Sequence, residues 1–286
     1  MLKYIHVTVP YYIPIALASA FLGLTTSGGF LNFNFILPFI ALALLVAAFN
    51  TFNGVTDFKI DLINKPHRPI PAGKMTRKQA SVYSMILYII SFYIAYNVNT
   101  QFFQIILLSA ILTISYSLPY IRIRKRLFFS NLSGAVFYGI LCPLAGWSIF
   151  PSNPIPVYFI GFTFILAFSL SITKDMEDVI GDRAYSVNTM PVFLGMKDAA
   201  WITAVILTVS FAYLLLAILL GLIENSFLIS LIAFPPFVYL IREFYKNGGN
   251  PHFTLEDKTT AKKLFYLLIG LGILLELVIS ITALLA

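Results

Sequence analysis

Apolar blocks separated by short polar stretches recur along the whole chain. Each block is roughly 18 to 22 residues long, enough for an α-helix to cross the hydrocarbon core of a bilayer. A soluble protein with one large core is excluded, because 59% of the residues are hydrophobic and only 11% are charged, whereas soluble domains have about 25% charged residues. The pattern predicts an all-α polytopic membrane protein.

Nine blocks are predicted to be transmembrane helices around a central cavity. They lie near residues 8–26, 35–54, 79–97, 101–118, 132–150, 156–173, 200–222, 225–242 and 262–284. The first block contains Pro10 and Pro14 and is too long for a signal-peptide core, so we expect it to remain in the mature protein. We expect a single domain over residues 1–286, with a weak four-helix internal repeat over 8–118 and 132–242 and a ninth helix after it.

The basic residues lie on one side of these predicted helices. The alternate connections, 27–34, 97–101, 150–156 and 221–225, contain no Lys or Arg, although the chain has 19 in total. The positive-inside rule therefore predicts a cytoplasmic N-terminus in a multi-pass protein of the cell membrane. It also accounts for the net charge of +7 without a nucleic acid partner, and we expect none.

A first acidic cluster, Asn53, Asp57 and Asp61, ends the second predicted helix at its cytoplasmic side. Steps of four residues keep these oxygen-bearing side chains on one helical face, about 6 Å apart per step. We therefore expect the three side chains to converge as ligands.

A second acidic cluster, Asp175, Asp178 and Asp182, ends the sixth predicted helix at the same side. Spacings of three and four residues again align the carboxylates on one face, whereas Glu177 points elsewhere. A hydrated helix end would explain one such cluster equally well. Two clusters on the same side favour a binding site.

Clustered like charges destabilise a helix unless a cation neutralises them, and more so beside a membrane. Neither cluster contains His, and the single cysteine, Cys142, is remote, which argues against zinc. Mg²⁺ prefers oxygen ligands and usually completes its shell with water and phosphate oxygens. The six cluster residues are therefore predicted Mg²⁺ ligands, with a diphosphate as the bound anion.

Each cluster is followed by a related loop. Pro69 precedes Gly73 by four residues in the first loop, and Pro191 precedes Gly195 by four residues in the second. This similarity indicates a weak internal repeat. The second and sixth helices would then be counterparts that flank one cavity.

At these residues the chain resembles the UbiA superfamily of intramembrane prenyltransferases. The first cluster matches its signature Asn-x3-Asp-x3-Asp, and Asp178 with Asp182 match the second, Asp-x3-Asp. Residues 64–73, Asn-Lys-Pro-His-Arg-Pro-Ile-Pro-Ala-Gly, resemble the family segment Asn-x-Pro-x-Arg-Pro-Ile-Pro-Ser-Gly. Residues 116–124, Tyr-Ser-Leu-Pro-Tyr-Ile-Arg-Ile-Arg, are similar to Tyr-Ser-x-Pro-x-x-Lys-x-Lys, with Arg in place of Lys.

The resemblance implies Mg²⁺-dependent transfer of a prenyl group from a polyprenyl diphosphate, such as geranylgeranyl diphosphate, to a lipophilic acceptor among the membrane lipids. The prenyl tail would lie in an apolar chamber open to the bilayer. The residues expected to act in catalysis are Asp57, Asp61, Asp178, Asp182 and Tyr116, although an interfacial anchor is an equally good interpretation of Tyr116. The residues expected to bind the diphosphate are Asn53, Lys65, Arg68, Arg122, Lys174 and Arg183.

The acceptor is left open by the sequence. The loops look most similar to the branches that act on geranylgeranylglyceryl phosphate and in chlorophyll synthesis, so an isoprenoid-lipid acceptor is favoured over an aromatic or chlorin one. A CDP-alcohol phosphotransferase would pack its acids into one local motif, unlike this chain. A cation-coupled transporter is the alternative class, but of the acidic residues only Glu276 lies deep in a predicted helix, and we interpret it as structural.

Overall fold

The computed structural model describes residues 2–29, 35–254 and 257–286, and within these ranges it contains helices and no strand. The helices are α1 Leu2–Val7, α2 Ile13–Thr26, α3 Ile36–Thr56, α4 Phe58–Asn64, α5 Arg77–Tyr96, α6 Thr100–Ser117, α7 Phe129–Trp147, α8 Val157–Ala184, α9 Met190–Leu194, α10 Met196–Leu219, α11 Asn225–Gly249 and α12 Lys258–Leu285. The first nine residues of α11 form a 3₁₀-helix. The predicted all-α class is confirmed.

Eight helices in the described ranges are long and apolar enough to cross a membrane, namely α3, α5, α6, α7, α8, α10, α11 and α12. The first predicted span, 8–26, is shorter than expected, because α2 has only 14 residues. Val9 adopts a left-handed backbone conformation with a φ of 49°, and a 3₁₀ turn at Pro10–Tyr12 precedes the helix. Pro14 is tolerated because it lies in the first turn of α2.

Helix α2 nevertheless belongs to the core of the bundle, because it packs closely against the second half of α7. Gly23 faces the backbone of Pro143, and Gly146 faces the carbonyl oxygen of Ala20, so that a Cβ atom at either glycine would clash with main-chain atoms. Small residues at such a contact allow helix backbones to approach each other. Helix α2, although short, is thus held in the bundle by close backbone packing.

The connections between helices gather at opposite ends of the bundle, as the alternation of charge predicts. At one end, Lys65 forms an ion pair with Asp178 across the α4–α8 contact. At the other end, Asn99 Nδ2 donates a hydrogen bond to the Ser148 carbonyl oxygen at 2.8 Å, which joins two connections that contain no basic residue. We call the end that contains Lys65 and Asp178 the charged end.

The two related loops share a backbone feature at the charged end. Gly73 and Gly195 both have positive φ angles, 71° and 92°. Residues with a Cβ atom rarely adopt this conformation, so each loop requires glycine at this point. The internal repeat itself stays a prediction.

A π-helical turn, Phe137–Leu141, interrupts α7 next to the interior of the bundle. The Thr163 side chain on α8 donates a hydrogen bond to the carbonyl oxygen of Gly139 at 2.7 Å. Gly139 also lies directly against the α8 backbone at Phe164. Such turns often occur at functional sites, and Phe137 and Tyr138 both face the cavity described below.

Candidate active site

A cavity lies inside the bundle, beneath the charged end. We call it the main cavity. Its polar lining consists of Asn50, Asn53, Asp61, Lys65, Arg68, Arg124, Lys174 and Asp178, and its aromatic and aliphatic lining includes Phe49, Leu112, Phe137, Tyr138, Leu170 and Phe265. It therefore has an ionic end and an apolar end. Both acidic clusters contribute to the ionic end.

The first acidic cluster lies on one continuous helical face. Asp57 sits at the junction of α3 and α4, yet the helical hydrogen bonds continue through it, from the Asp57 amide to the Asn53 carbonyl oxygen and from the Asp61 amide to the Asp57 carbonyl oxygen, both at 2.8 Å. The two carboxylates are buried. Asn53 Oδ1 accepts a hydrogen bond from the Ser117 hydroxyl at 3.1 Å.

The second acidic cluster lies within the uninterrupted helix α8, and all three of its aspartates are buried. Asp175 accepts a hydrogen bond from Asn131 Nδ2 at 2.9 Å. Glu177 lies off this face and is half-buried. The spacing argument thus predicted which acids of α8 turn inward.

Arg124 joins the two clusters. Its guanidinium forms an ion pair with Asp57 through Nη1 and donates a hydrogen bond to Asp182 Oδ1 at 2.7 Å through Nη2. The side chain is 5% exposed, whereas that of Arg122, whose Nη2 lies 3.5 Å from Asp57, is 25% exposed. The sequence prediction selected Arg122 and missed Arg124. Arg124 could have been found from the sequence, because it is the second basic position of the segment 116–124 that resembles the family.

Two further ion pairs neutralise the remaining carboxylates of the cavity lining. Lys65 Nζ lies 2.6 Å from Asp178 Oδ1, and Arg68 Nη1 lies 3.0 Å from Asp61 Oδ2. Both basic residues come from the segment that directly follows the first cluster. The pair between Lys65 and Asp178 therefore ties this segment to the second cluster.

The pKa values in these pairs reflect burial and charge together. Burial raises the pKa of the Asp61 carboxyl, although Arg68 and Lys65 act in the opposite direction. Burial also acts to lower the pKa of Lys65, but the surrounding carboxylates, above all Asp178, outweigh it and the pKa is raised. The pKa of Arg124 is raised in the same way, against burial, by Asp182 and Asp178. The two buried basic groups remain charged.

Asn64 fixes the distance between the clusters and was assigned no role by the sequence prediction. Its Nδ2 donates to the Asp178 carbonyl oxygen at 2.7 Å, and its Oδ1 accepts from the Gly181 amide at 2.8 Å. A Cβ atom at Gly181 would lie only 2.6 Å from the Asn64 side chain, so glycine is required there. The amide thus docks α4 onto the backbone of α8.

Tyr116 and Lys174 meet in the wall of the main cavity. The Tyr116 hydroxyl accepts a hydrogen bond from Lys174 Nζ at 3.4 Å and lies 3.4 Å from the Ser130 hydroxyl. Lys174 Nζ is also 5.5 Å from the centre of the Tyr116 ring, and the Phe49 ring meets it edge-on. Tyr116 is buried, so an interfacial anchor does not describe its position.

Four predicted site residues, Asp57, Asp175, Asp182 and Arg122, do not themselves line the main cavity. Arg183 does not line it either. It follows Asp182 near the end of α8, where its side chain is exposed. It lines an open surface depression together with Pro191 and Phe253. One residue step rotates its direction by about 100° from that of Asp182.

The oxygen ligands that the two clusters offer suit Mg²⁺. Among the described residues, the buried Asp182 Oδ2 has no hydrogen-bond partner, and neither has Oδ1 of Asn131, the residue that contacts Asp175. In the part of the chain that the structure describes, no group of three His, Cys, Asp or Glu residues converges on one point. Mg²⁺ commonly takes only one or two carboxylates and completes its shell with phosphate oxygens and water. The residues therefore fit a metal ion shared with a phosphate ligand.

Comparison with known proteins agrees with this geometry. Over residues 12–252 the chain matches the UbiA prenyltransferase family. It is 30% identical over 176 residues to digeranylgeranylglyceryl phosphate synthase of Methanosphaera stadtmanae, covering 61% of this chain and 63% of that protein. It is 29% identical over 205 residues to the enzyme of the same name from Methanothermobacter thermautotrophicus, covering 71% of each chain.

The fold is similar to that of solved structures. A UbiA homologue from Archaeoglobus fulgidus bound to DMAPP and Mg²⁺ superposes with a TM-score of 0.72 at 19% identity, covering 96% of this chain and 98% of the other. The apolar helices and these membrane homologues identify a multi-pass membrane protein. The chain belongs to the UbiA prenyltransferase family.

Proposed function

We propose that the protein transfers a prenyl group from a polyprenyl diphosphate to a lipophilic acceptor within the membrane. The observation that carries the proposal is the main cavity itself, which joins an ionic end to an apolar end within one bundle. A charged diphosphate is unfavourable in apolar surroundings and would stay at the ionic end. Each buried methylene of a prenyl tail, by contrast, gains about 0.8 kcal/mol of transfer free energy in an apolar environment. The cavity matches both parts of such a donor.

The diphosphate would be held by the basic residues of the ionic end, Lys65, Arg68, Arg124 and Lys174. Arg122 lies beside Asp57 at the edge of this group. Mg²⁺, held by oxygens of the two acidic clusters, would supply further positive charge to neutralise the departing diphosphate. Arg183 has no part in this arrangement.

The reaction breaks the bond between the allylic carbon and the diphosphate oxygen, and the diphosphate leaves with the electron pair. Positive charge then develops on the prenyl group beside the rings of Tyr116 and Phe49. Both rings line the main cavity, and the face of an aromatic ring can stabilise a cation. A bond from the acceptor nucleophile to the allylic carbon completes the transfer and releases the nucleophile's proton.

The acceptor we favour is geranylgeranylglyceryl phosphate. The support comes from the two relatives named digeranylgeranylglyceryl phosphate synthase and from a solved structure of that synthase with a TM-score of 0.68 at 21% identity. The chain spans less than two thirds of the first of these relatives. An aromatic or chlorin acceptor is the alternative. The positive-inside pattern supports an active site at the cytoplasmic face.

The test is an assay of the purified protein in lipid nanodiscs with Mg²⁺ and radiolabelled geranylgeranyl diphosphate. Geranylgeranylglyceryl phosphate, an aromatic acid and a chlorin carboxylate are offered separately as acceptors. We expect a labelled lipid product with the first alone. A product with another acceptor would replace the proposed acceptor, and no product with any acceptor would overturn prenyl transfer.

A further inference from the structure

Asn50 carries a buried hydrogen-bond donor that nothing in the described parts of the chain satisfies. The residue is 7% exposed, and its Nδ2 atom has no hydrogen-bond partner. Buried amide groups are almost always paired, because an unpaired one loses its hydrogen bonds to water without compensation. A ligand of the working enzyme is therefore the expected partner.

Asn50 lies where two spaces meet. It lines the main cavity, and it also lines a narrow side pocket between α3, the N-terminal segment and the loop after α4. The walls of this side pocket are Val7, Val9, Gly54, Pro69, Ile70 and Pro71, and the paired side chains of Asp61 and Arg68 stand at its edge.

The position of Asn50 along α3 separates it from the diphosphate end. It precedes Asn53 by three residues and Asp57 by seven, which places it about 10 Å deeper than Asp57 along the helix. Phe49 and Leu112, which line the same cavity, are apolar. Asn50 is thus a neutral amide at the boundary between the Asp61–Arg68 pair and the apolar lining of the main cavity, and we place the allylic carbon near this boundary.

We infer that Asn50 is a positioning residue for the acceptor, whose oxygen it holds by a hydrogen bond from Nδ2 at the mouth of the side pocket. The inference rests on the proposed function and adds to it a residue that orients the second substrate in the main cavity. The acceptor class is a lipid alcohol, because its oxygen can accept from Asn50 through one lone pair and retain another for the allylic carbon.

The experiment compares wild-type protein with Asn50→Leu, a change that keeps the size of the side chain and removes its donor. Steady-state transfer in nanodiscs is measured with geranylgeranyl diphosphate and geranylgeranylglyceryl phosphate, each varied in turn. We expect the KM for the acceptor to rise about tenfold and the KM for the donor to change by less than about twofold, with unchanged thermal unfolding. Asn50→Ala, which cannot overfill the site, should show the same division between the two KM values.

Ser230→Ala is the matched control, because Ser230 is also buried with an unpartnered polar atom but lies on α11, away from both spaces. It should leave both KM values unchanged. Equal KM values for the acceptor in wild type and both Asn50 variants, or a parallel change in both substrates, would overturn the inference and leave prenyl transfer intact. Absence of wild-type transfer to any acceptor would instead overturn the proposed function, and this inference with it.

Discussion

Buried acidic residues occur in two regions of the molecule, and the two regions treat them differently. At the ionic end of the main cavity, the carboxylates of Asp57, Asp61, Asp178 and Asp182 each pair with a Lys or Arg side chain. Deep in α12, Glu276 is equally buried, and the Ser19 hydroxyl donates to its two carboxylate oxygens at 2.9 and 3.0 Å. One region concentrates charge, and the other joins two helices.

This difference distinguishes a ligand-binding site from a structural contact between two helices. The ion pairs of Lys65 with Asp178 and of Arg124 with Asp57 and Asp182 bring together segments that are far apart in the sequence. Glu276 faces a separate small pocket, which Ser19 and Gly272 also line, and its serine partner is a typical polar contact between membrane helices. The interpretation of Glu276 as structural agrees with this surrounding, whereas a cation-coupled transporter would require it to bind an ion.

Metal removal should have the largest effect, because it acts on the ionic end alone. We expect EDTA to abolish transfer and added Mg²⁺ to restore it, whereas Zn²⁺ should restore little, because both clusters lack His and Cys. The measurement is product formation after chelation and metal addition. Full turnover in the presence of EDTA would contradict the assignment of the two acidic clusters as a metal site.

Loss of a carboxylate from either acidic cluster should be nearly as severe. Asp57→Ala and Asp178→Ala are each expected to lower turnover by at least about 10²-fold, a size typical of removing one group that stabilises developing charge. Glu177→Ala, off the inward face of α8, serves as the control and should lower turnover by less than about threefold. An equal loss in the control would contradict the assignment of the inward face.

Removal of the bridging guanidinium should affect stability more than removal of its exposed neighbour. Arg124→Ala leaves Asp57 and Asp182 without their closest cation, and breaking a buried pair in this way costs about 3–5 kcal/mol. Arg122→Ala, with the more exposed side chain, should cost less than about 1 kcal/mol. Thermal unfolding in detergent would check both values. Similar values for the two variants would contradict the bridging role.

The smallest effect is expected in the other region. Glu276→Gln retains a group that can accept the Ser19 hydrogen bond, so we expect turnover within about twofold of wild type and a stability change of about 1 kcal/mol or less. The same transfer assay and unfolding measurement apply, with Ser19→Ala as the partner variant. A large loss of turnover would place Glu276 in the reaction and break the comparison.

The sequence predicted the class of fold and the inward faces of both acidic clusters, since helix periodicity alone determines which side chains share a face. It did not predict that α2 would be short, because the left-handed conformation of Val9 depends on local packing. Arg124 was missed and Arg183 was included for a related reason. Which of several neighbouring cations reaches a carboxylate depends on how helices far apart in the sequence meet, and spacing holds no information about that.

The π-helical turn in α7 allows the two halves of the helix to present different faces to the bundle. A turn of this kind accommodates one residue more than a regular turn, which rotates the chain on one side of it by about 100° relative to the other. Residues before it, such as Ser133, can therefore face the main cavity, while Gly146 after it faces α2. Deleting a single residue from Phe137–Leu141 would remove this rotation. The two halves of α7 could then no longer both keep their contacts, and the protein would lose either the cavity lining from the first half or the packing of the second half against α2.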